Sequence, residues 1–176
     1  MSKDYLLVID MQNDFVDGAL GTPEAQAIVE GVAAYARAFD GAVVFTRDTH
    51  GEDYLRTQEG RNLPVPHCVR GTAGWELAPA IAEVAAELGA PVFDKPSFGS
   101  VELARWLVER DAEEPIGSVE LVGLCTDICV VSNALLVKAF LPEVPVFVAA
   151  SLCAGVTPAS HEAALATMKS CQVEVR

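Results

Sequence analysis

Cys129 stands two residues after Asp127, where the apolar run Val119–Glu120–Leu121–Val122–Gly123–Leu124 gives way to Cys125–Thr126–Asp127–Ile128–Cys129–Val130. A thiol is a weak nucleophile until it ionises, and a helix N-terminus favours the thiolate through its unpaired N–H groups and positive dipole end. The pattern predicts such a helix over 127–140, with Cys129 at its opening. The same N–H groups could hold an oxyanion formed when the sulfur attacks a carbonyl. Attack on a carboxamide also needs a base for the S–H proton and an acid for the departing amine. No histidine lies near Cys129 in sequence, since the chain contains only His50, His67 and His161. A carboxylate of tuned pKa can fill both roles, with a neighbouring ammonium holding the anionic pair in place. Asp10 and Lys95 are the candidates. Lys95 is one of only four lysines and sits between Phe93 and Pro96–Ser97–Phe98, a poor setting for a solvated charge. Taken alone, Asp10 could equally cap a helix or turn, and Lys95 could snorkel from a strand end to water.

A second group lies in one stretch. Asp48–Thr49–His50 puts two potential ligands at i and i+2, on one side of an extended segment, and Glu59 and His67 follow on the same loop. Mixed carboxylate and imidazole donors suit zinc, manganese or ferrous iron. The plainer alternative is a surface loop with ordinary polar residues.

Elements must bring these groups together. Strands are predicted at 5–9, 42–46, 91–93, 119–122, 146–149 and 173–175. Helices are predicted at 24–39, 79–88 (ending at Gly89), 101–110 (capped by Ser100), 127–140 and 158–169. The strands are continuous apolar runs, so both sheet faces should be covered. The expected fold is α/β: a single doubly wound domain over residues 1–176, with a mostly parallel six-stranded sheet and helices on both faces. Ligands of such sheets bind beyond the carboxyl ends of the strands. Asp10, Asp48, Lys95 and the segment 125–129 each follow a strand, so they gather along one edge. The stretch 47–75 shows no regular pattern, and a connection that long inside a compact domain is usually functional.

Composition narrows the field. A net charge of −13 argues against nucleic acid and anionic membrane surfaces as partners. Apolar residues make up 51% of the 176 positions, which excludes disorder for the whole. No membrane-spanning run, signal peptide or transit peptide is evident. The five cysteines (68, 125, 129, 153 and 171) form no paired framework and contain no CxxC, which fits a reducing, cytoplasmic setting. Cys68, Cys153 and Cys171 are expected to pack, and His161 receives no role. No G-x-G-x-x-G follows the first strand, which removes dinucleotide binding.

With these residues in hand, the chain resembles the isochorismatase-like cysteine hydrolase superfamily, and within it most the nicotinamidases (pyrazinamidases). The carriers are Val8–Ile9–Asp10–Met11–Gln12–Asn13–Asp14–Phe15, Thr46–Arg47–Asp48–Thr49–His50, Pro66–His67–Cys68–Val69–Arg70–Gly71–Thr72, Lys95–Pro96–Ser97–Phe98 and Gly123–Leu124–Cys125–Thr126–Asp127–Ile128–Cys129–Val130. The resemblance implies Asp10, Lys95 and Cys129 as a catalytic triad. It implies Asp48, His50 and His67 as ligands of a divalent metal, usually zinc, with Glu59 matching an additional ligand of some relatives. It implies a cis peptide at Leu124–Cys125, an oxyanion hole from the N–H groups of Cys125 and Cys129, and Phe15 and Trp75 as walls for a flat aromatic substrate. The implied activity is hydrolysis of nicotinamide to nicotinate and ammonia through a thioester, in pyridine nucleotide salvage. Relatives are often homo-oligomers. The alternatives are a related amidase for a ureido, carbamoyl or maleamate-type substrate, often without the metal cluster, and a non-catalytic ligand-binding homologue. A binding module, however, has no use for acid, base and thiol together. Two departures bear on pocket shape: Thr49–His50–Gly51 replaces a common Trp-His-Pro, and Val65–Pro66 replaces a common Trp-Pro.

Overall fold

A run such as Tyr5–Leu6–Leu7–Val8–Ile9 has no polar face to offer water, so a strand built from it must be covered on both sides. The computed structural model describes residues 2–176. In chain order its elements are β1 (Lys3–Ile9), α1 (Asn13–Val16), α2 (Pro23–Ala38), β2 (Ala42–Asp48), α3 (Gln58–Asn62), α4 (Pro79–Leu88), β3 (Val92–Lys95), α5 (Val101–Glu113), β4 (Ile116–Leu124), α6 (Val131–Phe140), β5 (Val146–Ala154), α7 (Pro158–Ser170) and β6 (Glu174–Val175). Alternate strand residues feed two cores. Leu6, Val8, Val43, Phe45 and Val122 pack with Ile28 and Val32 of α2 and Ile81 and Val84 of α4. Tyr5, Leu7, Val44, Val119 and Leu121 pack on the other side with Leu103 and Leu107 of α5, Val137 of α6, and Leu165 and Met168 of α7.

All six strands join one sheet in the order β3-β2-β1-β4-β5-β6, and every pairing is parallel. The winding reverses between β1 and β4, and such a switch point is where open α/β sheets leave a crevice for ligands. Asp10 leaves β1 there and Cys125 leaves β4 beside it. Register does the rest on the neighbouring pair, because Asp48 of β2 lies directly opposite Lys95 of β3.

The expected architecture is present, with corrections at the element ends. Strands β2, β3, β4 and β5 run past their expected limits to Asp48, Lys95, Leu124 and Ala154. A reading by hydropathy stops at the first charge, but Asp48 and Lys95 are buried charges that continue the ladder. The helix expected over 127–140 instead begins as a wide π-turn, Thr126–Val130, before α6 proper. The stretch 47–75 holds α3 and a 3₁₀ turn at Tyr54–Arg56, both too short to show a period. Among the described residues no helix is long and apolar enough to cross a membrane.

Gly123 shows how tightly the two central strands meet at the switch point. Its φ is +111°, and a Cβ there would drive into the carbonyl oxygen of Ile9. Gly71 also has positive φ, at +81°, but nothing lies within 4 Å of its missing Cβ. Gly71→Ala should cost about 1 kcal/mol of backbone strain. Gly123→Ala should cost at least about 3 kcal/mol, because steric conflict with a central strand adds to it. Urea midpoints of the two variants check the ranking.

Candidate active site

The ammonium of Lys95 is fully buried and surrounded by acceptors. Its Nζ lies 2.7 Å from Asp10 Oδ2, 3.4 Å from Asp48 Oδ1, 3.4 Å from Cys129 Sγ and 3.1 Å from the Ser97 carbonyl oxygen. Lys95 therefore does not snorkel, and Asp10 caps no helix. The other Asp10 oxygen, Oδ1, accepts the Thr46 hydroxyl at 2.6 Å, while Thr46 Oγ1 accepts the Asp10 N–H at 3.2 Å. Asp10 is also one of three non-glycine residues with positive φ among the described residues, at +45°. That conformation swings its carboxylate out of the strand line toward Lys95, and Asp tolerates it better than most residues.

Burial sets the protonation chemistry. It pushes the Cys129 thiol well up, and the Asp10 carboxylate adds to the rise while Lys95 opposes it. Burial raises Asp10 above the usual carboxylate range, only partly countered by Lys95. For Lys95, burial works against the charge, but Asp10, Cys129 and Asp48 outweigh it and hold the ammonium. Burial thus favours the neutral thiol, beside a carboxylate whose basicity it heightens. Cys129 is the fourth residue of the π-turn Thr126–Val130 and not the opening residue of a regular helix. Cys125 and Cys153 are each pushed up to about 12 by burial, and burial likewise raises Cys68.

The π-turn is held at both ends. The Leu124–Cys125 peptide is cis, as the resemblance implied. The Cys125 carbonyl accepts the N–H groups of Ile128 and Val130, each at 3.1 Å, the two that flank Cys129 in sequence. Buried Asn133 donates from Nδ2 to the carbonyls of Cys129 at 2.8 Å and Phe98 at 3.2 Å, and its Oδ1 accepts the Ser100 N–H at 2.9 Å. One amide thus ties the nucleophile turn to the loop after Lys95.

Asp48, His50, Glu59 and His67 converge beside the triad, with one ligand atom from each lying within 4.8 Å of the others. His50 Nε2 lies 3.0 Å from Asp48 Oδ2, and His67 Nε2 lies 3.7 Å from both Asp48 Oδ2 and Glu59 Oε1. His67 Nδ1 is 2.8 Å from the Val65 carbonyl oxygen. That oxygen can only accept, so Nδ1 carries a proton and Nε2 is the nitrogen that faces the cluster. Two imidazole nitrogens and two carboxylates facing one point form a donor set that fits a divalent cation. Gln12 sets the position of Asp48: its Oε1 accepts the Asp48 N–H at 2.7 Å, and its Nε2 donates to the Asp48 carbonyl at 2.9 Å. Asp14 accepts the Cys68 N–H at 2.8 Å and so anchors the segment bearing His67.

Cys129 from the first group and Asp48, Glu59 and His67 from the second line one cavity of about 390 Å³, walled also by Phe15, Leu20, Leu63, Phe98 and Ile128. Phe15 is a wall, as expected. Trp75 is not: Arg47 covers its ring at 3.6 Å, its N–H donates to Thr49 Oγ1 at 2.8 Å, and it lies outside the lining. The sequence reading missed Thr46, Gln12 and Asn133 as supports, and Leu20, Leu63, Phe98 and Ile128 as walls. Polar residues within otherwise apolar runs were the available signal for the supports.

Comparison with known proteins places this geometry. The isochorismatase domain model matches residues 4–176. A nicotinamidase/pyrazinamidase of Mycobacterium tuberculosis is 32% identical over 185 residues, covering 97% of this chain and 96% of that protein. The crystal structure of a pyrazinamidase of Pyrococcus horikoshii in complex with zinc superposes with a TM-score of 0.80 at 29% identity, covering 99% of this chain and 98% of that one. PnC1 from L. infantum in complex with nicotinate gives a TM-score of 0.84 at 25% identity, covering 99% and 92%.

The donor set predicts one divalent ion per chain, removable by chelator. His67→Ala should weaken binding at least about tenfold, measured by isothermal titration with zinc and by elemental analysis of the purified protein.

Proposed function

This chain belongs to the isochorismatase family, and on that footing we propose that it hydrolyses nicotinamide to nicotinate and ammonia, with pyrazinamide as a surrogate substrate. The observation that supports the reading is that Cys129, backed by buried Lys95 and Asp10, lines one cavity together with Asp48, Glu59 and His67 of the four-donor cluster, the two groups joined through Asp48. The cavity walls are largely apolar, as a flat aromatic amide requires.

Asp10 takes the proton of Cys129 as the sulfur bonds to the carboxamide carbon and the C=O electron pair moves to oxygen. Lys95, charged throughout, steadies the sulfur and the carboxylate as negative charge passes between them. The N–H groups of Cys125 and Cys129 receive the oxyanion. When the carbonyl re-forms, the C–N bond breaks, Asp10 returns its proton to the nitrogen, and ammonia leaves a thioester on Cys129. Water then attacks that carbon, Asp10 accepting its proton; the C–S bond breaks, the thiol is reprotonated and nicotinate departs. Asp48, His50, Glu59 and His67 would hold a divalent ion, which when bound supplies a Lewis acid for a ring nitrogen of the substrate.

A neutral thiol needs a base to become a nucleophile, and Asp10 is the carboxylate that Lys95 holds beside Cys129. Ammonia release from nicotinamide should fall by at least about 10³-fold in both Cys129→Ala and Asp10→Asn, with thermal unfolding showing that each variant is folded. Maleamate and ureido compounds serve as comparison substrates and should be turned over poorly. A Cys129→Ala protein as active as the wild type, or preferential turnover of maleamate, would sink the proposal.

A further inference from the structure

His161 is the one histidine outside the metal cluster. Its Nδ1 lies 2.8 Å from the hydroxyl of Thr126, the fully buried first residue of the π-turn that carries Cys129. A hydroxyl and an imidazole nitrogen can pair in either direction, so the contact persists in both tautomers.

His161 is itself placed with care. Thr157 and Ser160 form a reciprocal capping box at the start of α7, and the His161 N–H donates to the Thr157 carbonyl at 3.0 Å. Gly155 lets the chain pass against this first helical turn, since a Cβ there would lie 2.9 Å from both Cβ and N of His161. The same segment holds the π-turn at a second point, because Asp127 Oδ1 accepts the Val156 N–H at 3.0 Å. Ahead of both contacts, β5 pairs with β4 up to Ala154 opposite Leu124, the residue before Cys125. The start of α7 and the end of β5 therefore hold the turn at points separate from the Cys129 carbonyl that Asn133 holds.

We infer that His161 is a positioning residue: acting through the Thr126 hydroxyl, it fixes the turn that sets Cys129 Sγ against Lys95 and Asp10. It is not among the residues that line the cavity. A displacement of about 1 Å at a reacting atom can cost about 10²-fold in rate. Loss of this contact therefore acts on turnover and not on substrate binding. The inference rests on Cys129 being the nucleophile.

The test compares His161→Leu, His161→Asn, Thr126→Val and the double variant His161→Leu/Thr126→Val. Asparagine keeps a polar atom near the place of Nδ1, whereas leucine removes it. The first measurement is the steady-state rate with nicotinamide. His161→Leu and Thr126→Val should each lower kcat at least about tenfold with KM within about twofold, and His161→Asn should recover most of the loss. The double variant should be no slower than the slower single one, because both break the same contact. The second measurement needs no substrate: alkylation of Cys129 by iodoacetamide, followed by peptide mapping with exposed Cys171 as internal reference. His161→Leu should slow reaction at Cys129 about tenfold and leave Cys171 unchanged. If the wild type does not hydrolyse nicotinamide, the proposed substrate fails while the alkylation arm still decides the role of His161. If His161→Leu does not fold, Thr126→Val carries both arms. Alkylation and kcat within twofold of wild type, no recovery by asparagine, or multiplicative losses in the double variant would each overturn the inference.

Discussion

A lysine ammonium taken wholly out of water is the constraint on which the rest of this structure depends. Removing such a charge from solvent costs several kcal/mol, recovered only when opposite charges and acceptors meet it in good geometry. Asp10, Asp48, the Ser97 carbonyl and Cys129 all reach Lys95 within 3.4 Å. Each comes from a different stretch of chain, so the charge dictates how β1, β2, β3 and the turn after β4 must end. The parallel register that puts Asp48 opposite Lys95, and the left-handed Asp10, both satisfy that demand.

Asp48 joins the two halves of the site. One of its oxygens faces Lys95, and the other faces His50 and His67. Its own pKa is lowered: burial acts to raise it, but the His50 hydrogen bond and Lys95 prevail. The cluster and Cys129 are thus electrostatically linked through Lys95, and a change at one alters the charge balance at the other. Gln12, Asp14, Asn133 and His161 stand one layer further out, each holding backbone or a hydroxyl so that a reactive group is not free to drift. This is the pattern of a preorganised site, in which geometry is set before substrate arrives.

Much of this was legible in the sequence, and the limits were physical. Apolar runs and helical periods gave the doubly covered sheet and its helices, because burial on both faces leaves a direct trace in residue type. The residues that the structure brings together at the site stand out in the sequence because a thiol, an isolated lysine and clustered histidines are chemically distinctive. Strand ends were misplaced where charge was buried: hydropathy treats Asp48 and Lys95 as the edge of solvent, and only tertiary pairing shows otherwise. The π-turn was taken for an ordinary helix start, since the two share an apolar pattern and differ only in hydrogen-bond spacing. The resemblance places Trp75 in the pocket wall, but stacking with Arg47 claims its face. His161 carried no signal at all, because its partner Thr126 lies 35 residues away.

The central claim is that Cys129 carries the acyl group between the two halves of the reaction. The most direct measurement is rapid acid quench of the enzyme during turnover of nicotinamide, followed by intact mass and peptide mapping. The account predicts one nicotinoyl group per chain, bound as a thioester to Cys129 and released by hydroxylamine. Undiminished turnover with no acyl adduct at any time, or an adduct on another residue, would contradict it.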